Sequence, residues 1–518
     1  MKRRDFLKSA GLASLASLTA ARWSVAVAED GAKIFTMAHP AGFPDLDPAT
    51  SFSNDGAIMA NVYESLTRYV PGQGDQPAKV EPLLAEKWDV SADGLTWTFH
   101  LRQGVKFHDG ADLTADAVKQ SIEWTVKTAG GASFIWAPVS AIAAPDAATV
   151  VFTLSSPQPL DMIAASGFAA WIVSPSVLDK DNAWFNAGNG SGTGPYKMER
   201  YEPGQRCILT KNDSYWGGAP FFDKAVFAVV EDPVLTQNMI ESGDADWTYS
   251  IPYDNLEGLK ANPDLSVVSN ASFQTLFGMY NVKKAPLDNP KVRQALSLAF
   301  PYDDVIKSGT AGLASRAKGV IPAGIWGHDD AAPIPNTDLD AAKALLAEAG
   351  VTSADLTMTF ATGDSLESVA GELWKANLAT LGINLTLEPM AWEAQWQLAK
   401  SDPASAQDIF VMYWWPTYVT PYDYLFNLFH SEASPNYNLG YYANADYDKM
   451  IDDAAALSGT DRAKAEGMFI EAQRKVVTDA AAVFMLDLPN VHVIRSDVKG
   501  YVDNPAYGHV VFVKELSK

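Results

Sequence analysis

The chain has 518 residues, 47% of them hydrophobic, with 62 acidic against 39 basic side chains and a formal net charge of −23. That acidic balance argues against the basic patches on which nucleic-acid and anionic-lipid binding depend. The length corresponds to about three domain-sized units, and the single cysteine, Cys207, excludes an internal disulfide and a lipid-anchoring cysteine near the N-terminus.

Residues 1–28 have a basic start, an apolar middle and small residues at Ala26 and Ala28, the three parts of a secretory signal. Arg3 and Arg4 followed by Phe6, Leu7 and Lys8 resemble a twin-arginine signal, which exports folded cargo; an ordinary secretory signal is the alternative. Removal of this segment, with its five basic and one acidic side chains, leaves a net charge of −27. No later run reaches the roughly twenty consecutive apolar residues of a bilayer-spanning helix. The expected mature protein is therefore soluble and periplasmic.

Residues 39–56 form a loop with three prolines and two glycines ahead of a helix at 57–63, and Phe43 and Asn54 of this loop are candidate ligand contacts. Leu95, Trp97, Phe99 and Leu101 alternate with polar residues as in a half-buried strand, which a turn at Gln103-Gly104 is expected to pair with Val105 and Phe107. Thr114 caps a helix expected to bury Val118, Ile122 and Val126, and Val150, Phe152 and Leu154 form a further strand. His108 and Asp109 have no third ligand nearby and belong to a turn. The run GTGPYKMERYEPGQRCILTKNDSYWGG from Gly192 to Gly218 predicts a hairpin about Glu202-Pro203-Gly204, with Cys207 a small strand residue.

Further on, Asn289 and Pro290 open a helix whose stripe is Val292, Ala295, Leu296, Ala299 and Phe300, stopped by Pro301. A helix at 340–349 closed by Gly350, a strand through Leu356 and Met358, a helix with Leu373, Leu378 and Leu381, and a strand at 383–387 alternate as in an α/β lobe. After the strand 409–412, residues 413–438 concentrate Trp414, Trp415, Tyr418 and Tyr422 between prolines, a composition suited to a pocket wall.

The hairpin of residues 192–218, the segment GLTWTFHLRQGVKFHDGADLTADAVKQSIEW and the passage GMYNVKKAPLDNPKVRQALSLAF together resemble the extracytoplasmic solute-binding proteins of ABC importers, specifically the peptide, nickel and opine family. The resemblance implies a two-lobed periplasmic binding protein of type II with an extra subdomain inserted in lobe I. The expected layout is signal 1–28, lobe I from 29–60, inserted subdomain 61–190, lobe I again at 191–276, lobe II at 277–492 and a lobe I completion at 493–518. Strands near Thr275–Asn281 and Val491–Ile494 are expected to cross between lobes as the hinge. It further implies a monomeric receptor that needs no cofactor and no metal, passing its ligand to a membrane permease and a separate ATPase, since the chain has no GxxxxGK[ST] loop.

Dipeptide-binding members carry an aspartate shortly after the tryptophan of the 413–438 loop for the ligand ammonium, and an arginine in lobe II for its carboxylate. Here those places read Thr417 and Ala361-Thr362-Gly363-Asp364. Asp423 or Asp364 could replace the first, and the second has no base. Nickel-binding members enclose a chelate with aromatics, to which Trp136, Trp414 and His430 compare, while Ala169-Ala170-Trp171 stands where they place an arginine. The candidate contacts are thus Phe43, Asn54, Trp136, Trp171, Trp414, Trp415, Thr417, Tyr418 and Asp423. The expected ligand is a peptide or peptide-like compound, with an opine, an oligosaccharide or chelated nickel as alternatives. An exported hydrolase is the rival class, against which the chain lacks GxSxG and HExxH.

Overall fold

The computed structural model describes residues 31–518 except Ser53, 73–77 and 432–435. The signal reading of residues 1–28 lies outside the described residues. In chain order the strands are β1 (Ile34–His39), β2 (Thr67–Val70), β3 (Lys79–Pro82), β4 (Ala85–Val90), β5 (Thr96–Leu101), β6 (Val139–Asp146), β7 (Thr149–Leu154), β8 (Tyr196–Glu202) and β9 (Arg206–Lys211). They continue with β10 (Lys224–Val229), β11 (Trp247–Thr248), β12 (Leu265–Tyr280), β13 (Ser315–Arg316), β14 (Ala354–Ala361), β15 (Ile383–Met390), β16 (Ile409–Trp414) and β17 (Ala482–Arg495).

Two long antiparallel strands organise the molecule. The first half of β12, Leu265–Ala271, pairs with Pro489–Arg495 of β17, whose end also takes β11. Beyond β11 follow β1, β10, β9 and β8, which make the sheet of lobe I. After a register break between Ala271 and Thr275, the second half of β12 pairs with Ala482–Asp487 on one side and with β16 on the other. Parallel β14 and β15 extend the sheet of lobe II from β16. The two lobes are therefore parts of one eleven-stranded sheet that changes partners midway along β12 and β17.

A separate four-stranded sheet, ordered β4-β5-β7-β6, carries the helix Ala115–Thr128 and encloses its own core around Trp97, Phe99, Trp136 and Phe152. Two local expectations fail here. Val105 and Phe107 do not pair with β5, because both edges of β5 are already occupied by β4 and β7; Lys106 bridges Asp112 instead. Thr114 caps the helix through its side chain, and Val118 and Ile122 are buried, but Val126 is 47% exposed. At 3.6 residues per turn the inward stripe has moved to Thr125, which takes the buried place.

The hairpin of residues 196–211 forms as β8 and β9, with Gly204 at φ +69° in its turn and Cys207 fully buried. Its approach explains two glycines. A Cβ on Gly192 would stand 2.2 Å from the Val62 carbonyl oxygen, and one on Gly194 would stand 2.7 Å from that of Asn61. The loop thus lies flush against the end of the helix Gly56–Val62. His108 holds it there: the Gly192 N–H donates to Nδ1 at 3.3 Å, so Nε2 carries the proton and donates to the Gly194 carbonyl at 2.9 Å.

In lobe II the helix Pro290–Leu298 has Asn289 as its side-chain cap, and Val292, Ala295, Leu296, Ala299 and Phe300 are all fully buried. The helices Leu339–Glu348 and Ser365–Thr380 follow, with Gly350 at φ +72° after the first. Among the described residues no helix is long and apolar enough to cross a membrane.

A cleft between the lobes

Where β12 and β17 change partners, the backbone opens onto a cavity of about 250 Å³. Ser272, Phe273, Gln274 and Asn490 of the crossing strands form its back. Lobe I supplies His39, Asn54, Tyr249 and His509, and lobe II supplies Trp415 and Thr417. A second chamber of about 590 Å³ shares Phe168, Trp415 and Thr417 with the first and runs along lobe II past Asp364, Trp392, Trp396 and Tyr413. The two chambers make one cleft between the lobes.

Its hinge-side floor is an array of rings. Tyr249 stacks on His509 with centroids 3.7 Å apart, and its hydroxyl meets Nε2 of His39 at 3.0 Å. Burial lowers His39 to about 4 and His509 to about 3, so both imidazoles are neutral at pH 7. Behind them His492, also lowered by burial to about 4, is hydrogen-bonded to Tyr501.

The lobe II wall is aromatic. Trp392 and Trp396 lie 5.5 Å apart, Tyr437 stands edge-on to Trp396 at 5.0 Å, and Trp414 meets Tyr437 at 4.9 Å. Trp415, at the tip, is 51% exposed. Large rings left uncovered at a cleft mouth are surface available to a ligand. At the end of this wall Asp364 caps the helix Ser365–Thr380 by accepting from the Glu367 N–H, and the Tyr413 hydroxyl donates to both of its carboxylate oxygens at 2.9 Å. Glu367 is buried, accepts from the Ala361 N–H at 2.7 Å, and is pushed up to about 8 chiefly by desolvation.

Of the candidate contacts, the structure brings Asn54, Trp414, Trp415 and Thr417 to the cleft. It places the others behind the walls. Trp136 is buried in the inserted sheet's core with its indole N–H on the Ala169 carbonyl, stacked on Phe152. Phe43 is sealed between His39 and Phe227, and Tyr418 belongs to the core beside the inserted sheet. Trp171 borders a small side cavity of about 80 Å³ with Glu64 and Tyr215. Asp423 sits beneath Trp414, accepting its indole N–H at 3.1 Å and the Asn427 amide at 3.2 Å, and burial raises it to about 7. It supports the wall from behind.

Sequence reasoning missed His39, Tyr249, His509, Phe168, Trp392 and Trp396. Only the amphipathic spacing of Trp392 and Trp396, four residues apart in one helix, was a signal available beforehand. Among the described residues no group of three or more His, Cys, Asp or Glu side chains is placed to hold a metal ion.

Two α/β lobes joined by crossing strands, with an aromatic-walled cleft at the junction, define a two-lobed binding protein. Comparison with known proteins agrees with that class and narrows it. The chain belongs to the bacterial extracellular solute-binding proteins, family 5, whose profile matches residues 79–436. It is 29% identical to the probable D,D-dipeptide-binding periplasmic protein DdpA of Escherichia coli (strain K12), over 97% of this chain and 98% of that one. It is 30% identical to the glutathione-binding protein GsiB of Salmonella typhi, over 85% and 86% of the two chains. Its fold matches the periplasmic binding protein DppA of Helicobacter pylori, solved in complex with the peptide STSA, with a TM-score of 0.80 at 24% identity over 95% and 99% of the two chains.

Proposed function

We propose that this protein is the periplasmic receptor of an ABC importer, that it captures a peptide or peptide-like compound between its lobes, and that it hands the ligand to a membrane permease without chemical change. The observation that carries this is the cleft itself, walled by both lobes and backed by the strands that join them. A guest touching His509 on one side and Trp415 on the other stabilises the closed form by its extra affinity for it, and a closed shape is what a permease can distinguish. Support for a peptide-like ligand comes from the relatives, named for a D,D-dipeptide and for glutathione.

In this reading residues 29–60, 191–276 and 493–518 build lobe I around an insertion at 61–190, and 277–492 build lobe II. The hinge expected near 275–281 and 491–494 shifts by a few residues in this reading, to the partner change at 271–275 of β12 and the facing residues 487–490 of β17. The reason is that 275–280 already pair with β16 of lobe II and 491–494 pair on the lobe I side, which puts the lobe II boundary in β17 a few residues before 492. Export by the signal at 1–28, of twin-arginine type, delivers the chain to the periplasm, where it acts as a monomer.

Calorimetry with a peptide panel, paired with small-angle scattering of the empty and saturated protein, tests the proposal. Binding accompanied by a smaller radius of gyration is expected. Unchanged dimensions together with conversion of an added compound would identify an enzyme instead.

A further inference from the structure

The walls of the cleft carry an unusual charge pattern. Among the described residues that line its two chambers there is no lysine and no arginine. The lining histidines, His39 and His509, are held neutral by burial. The acidic lining groups are Asp364 and Glu367, and Glu367, raised to about 8, is largely protonated at pH 7. That leaves Asp364 as the formal charge a guest would meet.

Asp364 is held in place without being neutralised. Its partners are the Tyr413 hydroxyl and a backbone N–H, and both are uncharged. Asp364 lines the gap, and Tyr253, on the short turn Tyr253–Asn255 of lobe I, has its phenol raised by burial and then by the Asp364 charge. In the first turn of the helix the Glu367 N–H is bonded to the Asp364 side chain and the Ser368 N–H to its carbonyl, so the carboxylate itself stands at the helix start.

A carboxylate entering this cleft would lose hydration, gain no cationic partner and meet a like charge. An ammonium would gain Asp364 and the faces of Trp392 and Trp415, where cations are attracted by the ring quadrupole, while the Trp396 ring already carries the Lys400 ammonium 5.2 Å from its centroid. We propose that the cleft selects ligands with an ammonium group and no free carboxylate, namely peptides masked at the C-terminus as an amide or ester, with the ammonium on Asp364 and the apolar body against the tryptophans. This deepens the receptor reading and rests on it.

The test is calorimetry of the full mature protein with four probes on one scaffold: alanyl-phenylalaninamide, alanyl-phenylalanine, and the N-acetylated form of each. The free-amine amide is expected to bind more tightly than the other three by about tenfold or more, the scale of one partly desolvated charge pair. Asp364→Asn keeps a side-chain oxygen for the helix cap and is expected to lose that preference while melting, when empty, at the parent temperature. Equal or tighter binding of the free acid overturns the proposal and leaves the receptor reading standing, as does an unchanged preference in D364N. Failure of all four probes overturns the peptide reading and this proposal with it.

Discussion

The hydroxyl of Ser166 donates to the carbonyl of Thr417 across 2.8 Å, joining the inserted region of the first lobe to the tryptophan loop of the second. Both residues are buried, and the contact has a neighbour: the Val419 N–H donates to the Tyr69 hydroxyl at 2.9 Å, which itself donates to the Met162 carbonyl. The loop bearing Trp415 is thus fastened to the opposite lobe by bonds that opening would expose to water. Ser166→Ala would leave the Thr417 carbonyl unpaired only while the lobes are shut. A buried orphan acceptor costs about 1–3 kcal/mol, so ligand affinity should fall about five- to 150-fold in calorimetry. An unchanged dissociation constant would show that this contact persists when the cleft opens.

Trp415 and Trp136 separate binding from stability. Trp415 is half exposed at the cleft mouth, and its replacement by alanine should weaken ligand binding by about 2 kcal/mol or more with little change in the melting temperature of the empty protein. Trp136 is fully enclosed by the inserted sheet, so Trp136→Ala should cost about 3–5 kcal/mol of stability and leave the affinity of the folded fraction intact. Denaturant titration and calorimetry on the two variants read the contrast directly.

Buried acids should make stability decline with rising pH on the alkaline side of neutrality. Burial raises Asp423 and Asp487 to about 7 and Glu367 to about 8, so between pH 6.5 and 8.5 the folded protein holds protons that the unfolded chain has already lost. Stability falls wherever the native state binds more protons, with a limiting slope of about 1.4 kcal/mol per pH unit for each group. His39, His492 and His509, all lowered, act in the opposite sense: their contribution is complete above about pH 6.5 and is lost as pH falls towards 4. Above pH 6.5 they drop out and the acids decide the slope. Asp487→Asn should flatten the melting profile from pH 6.5 to 8.5, and an unaltered slope would mean that Asp487 is ionised throughout.

Two glycines of the hairpin region should differ sharply. Gly192→Ala forces a methyl group into the Val62 carbonyl and should cost more than about 2 kcal/mol, whereas Gly204, with open space around it, should cost only about 1 kcal/mol for its positive φ. Chemical denaturation of both variants gives the ranking, and equal costs would show that the 192–195 loop can move away from the helix end.

Much of this fold was legible because its signals are local. Asn289 and Pro290 start a helix through groups within one turn, and the stripe from Val292 to Phe300 needs only a 3.6-residue period. The pairing of Val105 with β5 was misread because a strand has two edges, and which strands take them depends on β4 and β7, the second of which lies about fifty residues away. Val126 was misread because three apolar residues at a four-residue spacing drift off the buried face. In the cleft, the tryptophan loop was legible from composition, while the His39, Tyr249 and His509 floor was not, since its rings come from three distant places in the chain.

The sequence by itself determined the helices, the alternating strands and the acidic, cysteine-poor character of the chain, because each depends on composition or on neighbours within a turn or two. Only the tertiary structure decided that Trp136 is core and Trp415 is cleft wall, since the two side chains are chemically the same and differ only in what surrounds them. The same holds for Ser166 and Thr417, 251 positions apart, which no local rule could bring within reach of a hydrogen bond.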